Sequence, residues 1–163
     1  HIYIGDERFL PAGHKDRNDQ IINEIWLDNS PIPKKNIHFI KAELGLLEAR
    51  VEYENTLKKI DKFDVVLLSM GEDGHIASLF PDHIYSENQS VVIEKNSPKT
   101  PKERISMSYE RFNKSKYVVK LIVGESKKKA LNLIADEKIL PVSRVFGDIE
   151  KNYICMHKYI KLV

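Results

Sequence analysis

The chain has 163 residues, about one domain's worth, with 42% hydrophobic and 31% charged residues. Its net charge is +2, with Lys and Arg interleaved among Asp and Glu, so the sequence lacks the charge footprint of a nucleic-acid or anionic-membrane binder. No apolar run reaches the roughly 18 to 20 residues of a membrane helix, and a single cysteine, Cys155, excludes an internal disulfide and suits a reducing, cytoplasmic setting.

Apolar runs of strand length alternate with stretches of helical spacing. "HIYIGDER" reads as a strand that ends in an acidic turn. No secretory signal is visible, and the chain opens without Met and already inside a strand pattern, so the expectation is that the natural protein begins upstream. "DQIINEIWLDN" places Ile21, Ile22, Ile25 and Trp26 on one helical face, and "SPIPKKN" ends it. "IHFI" suits a short strand. "LGLLEARVEYENTLKKI" puts Leu44, Leu47, Val51, Glu54 and Leu57 near one stripe of an amphipathic helix with one polar intrusion. "FDVVLLSM" is a continuous apolar run of the kind buried on both faces of a parallel sheet. Strands in "SVVIE", "RISMSY" and "YVVKLIVG" come next, then a helix in "ESKKKALNLIA". "NYICMHKYI" reads as a closing strand in which Cys155 is a buried, inert thiol. The polar, Pro-punctuated stretch 82–103 reads as a mobile excursion around a short strand. The alternation predicts an α/β fold, a mainly parallel sheet sandwiched by helices, in one domain over 1–163.

In such folds ligands bind outside the carboxyl ends of the strands. Three polar clusters stand there: Asp6-Glu7-Arg8, Gly71 to His75, and Gly124 to Lys127. His75 is the candidate proton-transfer group, with Glu72 and Asp73 placed to orient it. Gly71 and Gly74 give the backbone freedom and leave amides open to an oxyanion. The alternative is a helix N-terminus whose dipole favours the two acids, with a histidine packed nearby. Arg8, Arg104 and Lys127 are cationic counterparts suited to phosphate or carboxylate. A lysine in a helix's first turn opposes the dipole, and a bound anion would relieve that cost. Arg8 has the alternative of pairing with Asp6 or Glu7 to hold a turn. His1, His14, His38, His83 and His157 lack comparable company and read as surface or structural. His75, His83 and Asp82 form no metal signature, so no metal is expected. The lysine runs at 34–35 and 127–129 read as solvated faces.

"GEDGHIASLFPD" closely resembles the G-x-D-G-H-x-A-S-L-F-P signature of 6-phosphogluconolactonases. "IGDERFLP" resembles their D-E-R-x-V-P motif, with Asn18 near the Asn that follows it. "TPKERISMSY" is similar to the P-x-R-[IV]-[ST] segment, "VGESKKKAL" to the G-x-x-K helix start, and "LPVSRVF" to a late L-P-A-x-x-[VL] segment. The matches run in family order from residue 4 to about 147. The resemblance implies the fold of sugar-phosphate isomerases and deaminases. It also implies hydrolysis of 6-phosphoglucono-δ-lactone in the oxidative pentose phosphate pathway, without an organic cofactor. It lays the acid/base role on His75 beside Asp73. Substrate and phosphate binding fall on Arg8, Arg104 and Lys127, with Asp6, Gly71 and Gly74. The implied partner is a small sugar-phosphate lactone, with fusion to or association with glucose-6-phosphate dehydrogenase also known for such domains.

The family's early glycine-rich phosphate loop, which precedes D-E-R, has no counterpart. The resemblance therefore implies a domain lacking its N-terminal strand, phosphate loop and helix. Ser69 stands where Gly is common and Ile76 where Thr is common. Ile76 matches the G-H-I-A-F-N-E-P of the related amino-sugar-phosphate deaminases, the main alternative. Against them, "ASLFP" lacks their ring-opening glutamate, and Arg8 replaces the Tyr of their D-E-Y. A noncatalytic sugar-phosphate-binding domain is the second alternative.

Overall fold

The computed structural model describes residues 1–155, with the side chain of Cys155 and the stretch 156–163, including His157, outside the described residues. In chain order the elements are β1 (Ile2–Tyr3), β2 (Asp6–Arg8), α1 (Asn18–Ile25), β3 (Ile37–His38), α2 (Leu46–Leu57), β4 (Phe63–Ser69), β5 (Val91–Glu94) and β6 (Arg104–Met107). They continue with α3 (Tyr109–Asn113), β7 (Ser115–Val123), α4 (Lys128–Ala135) and β8 (Ile149–Cys155). The α/β class expected from the sequence holds. β4, β7 and β8 form a parallel sheet, and β1 pairs parallel with β3. The departure is a third sheet, β2-β6-β5, which is antiparallel throughout. It claims Asp6-Glu7-Arg8, so those residues are a short strand and not the expected acidic turn.

The parallel sheet has one buried face. Val66 and Leu68 of β4, with Val118 and Ile122 of β7, point into the core beside Met70, Ile105 and Leu140. On the opposite face Val65 is 59% and Leu67 68% exposed, and Tyr117, Leu121, Ile149 and Tyr153 are exposed with them. "FDVVLLSM" is therefore not buried on both faces among the described residues. The helical face of α1 is likewise bare, with Ile25 and the following Trp26 exposed. These side chains border a groove of about 1010 Å³ lined by His1 to Gly5 on one side and Lys62 to Leu68 on the other. Because consecutive residues line each wall, the groove runs between the backbone edges of β1 and β4.

In α2 the buried positions are Ala49, Tyr53 and Leu57, whereas Leu47 and Val51, and Leu44 in the 3-10 turn before the helix, are exposed. The expected stripe was wrong apart from Leu57, because the helix carries apolar residues on two faces and a tertiary bond selects between them. The buried Tyr53 hydroxyl donates to the Ile4 carbonyl at 2.7 Å. α1 begins without a side-chain cap of its own. The Glu7 carboxylate supplies one from β2, accepting the Asn18 and Asp19 amides at 2.7 and 2.8 Å, where the helix dipole favours a negative charge. Fully buried Arg17 offsets the charge of Glu7 and reaches Asp19 and Glu43 at 2.7 and 2.8 Å. This capped helix start fixes which way β2 faces: Glu7 points into the frame, leaving its neighbours Asp6 and Arg8 to point the other way.

Candidate active site

The loop after β4 is not a helix. Residues 71–80 form turns closed by a bridge between Ile76 and Leu79, so the helix-terminus alternative for the acids does not apply. Ile76, Leu79 and Phe80 are buried and pin the loop to the core, which leaves its polar residues on the rim. His75 Nδ1 lies 2.5 Å from Asp73 Oδ1, and the same oxygen accepts the His75 amide at 3.1 Å. Partial burial acts to raise the Asp73 carboxyl, but these two contacts from His75 outweigh it and hold the carboxyl below its ordinary value. An ionised Asp73 fixes the proton of neutral His75 on Nδ1 and leaves Nε2 as the acceptor.

The two glycines do something other than expected. The Gly71 amide donates to the His75 carbonyl at 2.8 Å and the Gly74 amide to the Gly71 carbonyl at 3.1 Å. Neither is open to an oxyanion, because both close the turn that presents His75. A side chain at Gly71 would fall on the His75 imidazole. Gly74 has φ of +88°, and a Cβ there would lie 2.6 Å from Leu140.

Asp6 joins the strand cluster to this loop. Its carboxylate accepts the Ser78 hydroxyl at 2.6 Å and the Asn18 side-chain amide at 3.2 Å. Burial pushes the Asp6 carboxyl up, while the Ser78 hydrogen bond and the charges of Arg104 and Arg8 act in the opposite sense. Arg8 and Arg104 are direct cross-strand partners on β2 and β6. Burial lowers the Arg104 guanidinium, with Asp6 supporting its charge and Arg8 opposing it. Arg104 donates through Nε and Nη2 to the carbonyls of Pro101, Lys99 and Thr100 at 3.1 to 3.3 Å. Arg8 is not claimed by Asp6 or Glu7 through its guanidinium. Glu7 takes only the Arg8 amide, Arg8 Nη1 donates to the Asp16 carbonyl at 2.6 Å, and Arg8 Nε is buried without a partner.

The structure thus gathers His75, Asp73, Asp6, Arg8 and Arg104. Lys127 ends the 3-10 turn that leads into α4, one residue before the helix instead of inside its first turn. Its charge reaches Glu72, which pairs with Lys99 at 2.9 Å. Ser78 was missed, although the motif that contains it was singled out. Glu94, Tyr85 and His83 were also missed as a group, because nothing in the linear pattern brings them together. His83 Nδ1 meets Glu94 at 2.7 Å.

The family described as glucosamine-6-phosphate isomerases/6-phosphogluconolactonase matches residues 1–154. A rice (Oryza sativa subsp. indica) protein named probable 6-phosphogluconolactonase 4, chloroplastic, is 36% identical over 87% of this chain and 50% of its own length. A Thermotoga maritima 6-phosphogluconolactonase is 33% identical over 90% of the chain and 67% of its own length. A crystal structure of 6-phosphogluconolactonase from the same bacterium superposes with a TM-score of 0.89 at 30% identity, covering 96% of this chain and 72% of that one. The chain spans about half the length of the rice relative.

The packing of His75 on Gly71 gives a direct test. Gly71→Ala is expected to push the imidazole off Asp73, because the added methyl occupies the ring's place. Imidazole NMR signals of His75 should shift in the folded variant; signals matching the wild type would contradict this placement.

Proposed function

The chain belongs to the glucosamine-6-phosphate isomerase/6-phosphogluconolactonase family, and on that premise we propose that the protein hydrolyses 6-phosphoglucono-δ-lactone to 6-phosphogluconate, in the oxidative pentose phosphate pathway. The observation that carries the reading is the Asp73–His75 pair on one rim with Asp6, Arg8 and Arg104. A lactone carbonyl is already electrophilic, so the site needs a base for water, a grip on the phosphate and no covalent nucleophile. His75 Nε2 takes a proton from water as the water oxygen attacks the carbonyl carbon. The tetrahedral intermediate collapses with cleavage of the bond to the ring oxygen, which receives that proton from His75. The product is the open-chain acid, which ionises.

Arg8 is the proposed phosphate ligand with a donor to spare, since among the described residues its Nη1 alone of the two terminal guanidinium nitrogens has a protein partner. Arg104 adds positive charge beside it, and Lys127 extends the cationic rim on the side of Glu72. Asp6 orients this cluster. Gly71 and Gly74 serve by shaping the turn. Leu79-Phe80-Pro81 offers no carboxylate where an amino-sugar-phosphate deaminase needs one, which disfavours the isomerase side of the family. A reducing, cytoplasmic setting stays part of the proposal on the strength of the single cysteine; the rice relative is named as chloroplastic.

The domain proposal follows from the bare sheet. We propose that a strand inserts between the free edges of β1 and β4, accompanied by a helix and a phosphate loop, and that this segment covers Leu67 and Trp26. Parallel strands are ordinarily covered on both faces, and the Thermotoga structure contains polypeptide beyond the part that superposes on this chain. In the intact protein, Leu67→Asp is then expected to cost more than about 2 kcal/mol, as for a charge placed in a core. A change within about 0.5 kcal/mol, typical of an exposed site, would contradict the covering segment.

His75→Ala should lower kcat for the lactone by roughly 100-fold or more after correction for spontaneous hydrolysis. Near-normal turnover by the folded variant would contradict the base assignment. Ammonia release from glucosamine 6-phosphate at a rate rivalling lactone hydrolysis would overturn the assignment of the reaction.

A further inference from the structure

Behind the His75 wall lies a polar cluster that lactone hydrolysis as derived above does not use. Glu94, at the end of β5, is 4% exposed. One carboxylate oxygen accepts the Tyr85 hydroxyl at 2.6 Å and faces His83 Nδ1 at 2.7 Å, while the other accepts the Asn96 amide at 2.5 Å. Burial acts to raise the Glu94 carboxyl, but Tyr85, Asn96 and His83 together hold it below its ordinary value. The Tyr85 hydroxyl has one proton and spare lone pairs. It gives the proton to Glu94 and accepts the buried Phe80 amide at 2.9 Å.

Phe80 is the next link. Its ring is 1% exposed and lies 4.7 Å from the His75 imidazole, tilted by 42°. The Arg104 guanidinium sits 5.7 Å above the same ring, and His83 packs on it at 5.9 Å. Asp73 fixes the His75 ring at Nδ1, and Phe80 supplies a second contact on the ring. Phe80 in turn is fixed by a backbone bond whose acceptor is oriented by Glu94.

We propose that Glu94, acting through Tyr85 and Phe80, is a positioning residue that sets the orientation of His75. His83 closes the cluster from the solvent side, with its side chain 30% exposed against 4% for Glu94. Three carbonyls from Lys99 to Pro101 hold the position of Arg104, but Glu94 is its direct cross-strand partner and supports its charge. The Tyr85–Phe80 arm therefore acts on turnover more than on substrate binding, whereas the charge of Glu94 also bears on Arg104. A misoriented base loses rate because the proton acceptor no longer lines up with the attacking water.

The inference rests on His75 as the base for kcat, but its structural half can be read without turnover. Tyr85→Phe removes only the hydroxyl, and Glu94→Gln keeps the shape of the carboxylate while removing its charge. In the Tyr85→Phe variant of the intact protein kcat is expected to fall about tenfold with KM within about twofold, as for a displaced catalytic group. Glu94→Gln should lower kcat similarly while also raising KM through Arg104. The His75 imidazole NMR signals should shift and broaden, whereas those of His14 should not. Lys34→Ala, at an exposed turn before β3, serves as the control without effect. Wild-type His75 signals in both variants would overturn the relay, whatever the activity. Displaced His75 signals with unchanged kcat would retain the relay's geometry and overturn its effect on turnover. A wild-type protein inactive on the lactone, with displaced His75 signals in the variants, would overturn the proposed reaction and leave the relay standing.

Discussion

The hydrogen bond from Ser78 to Asp6, 2.6 Å long between residues 72 positions apart, is the contact on which the site depends. It ties the first antiparallel strand to the loop that follows the parallel sheet. Asp6 is costly to bury, and burial alone raises its carboxyl. The charges of Arg8 and Arg104 offset part of that cost and the carboxyl stays raised, while Asp6 lets two arginines sit opposite each other on adjacent strands. One carboxylate between two guanidiniums leaves net positive charge on the rim. The phosphate proposed to bind there would meet charge already organised by the fold, which leaves little ordering to be done on binding.

The same economy governs the loop. Its apolar members Ile76, Leu79 and Phe80 are held in the core, and its glycine amides close internal turns. What remains outside is the Asp73–His75 pair. Glu7 performs the matching task on the other side, because it caps α1 and pairs with Arg17. Alternation along β2 then turns Asp6 and Arg8 toward the site. One three-residue strand therefore serves both the frame and the chemistry.

Much of this was legible in the sequence. The strands β4 and β7 stand out as apolar runs, and the polar cluster after β4 announces a rim position. The α2 stripe was misread because Leu47 and Val51 compete with Ala49 and Tyr53, and only the distant Ile4 carbonyl decides between the faces. Asp6-Glu7-Arg8 read as a turn because three polar residues carry no strand signal; their pairing with β6 is set some hundred residues downstream. Open amides at Gly71 and Gly74 were inferred from flexibility alone, whereas the backbone spends them on closing the loop. The Glu94 cluster was not legible at all, since it forms between a strand end and a loop through bonds with no linear spacing rule. Apolar periodicity reports burial, and a site built from cross-element polar contacts leaves only partial traces in it.

The central claim is that His75 and the paired arginines face one sugar phosphate. Titration of the intact protein with 6-phosphogluconate, followed by NMR of the His75 imidazole and the arginine Nε–H groups, tests it most directly. The account requires His75, Arg8 and Arg104 to shift together along one saturable curve. Saturation that leaves His75 unmoved, or moves it on a curve separate from the two arginines, would contradict it.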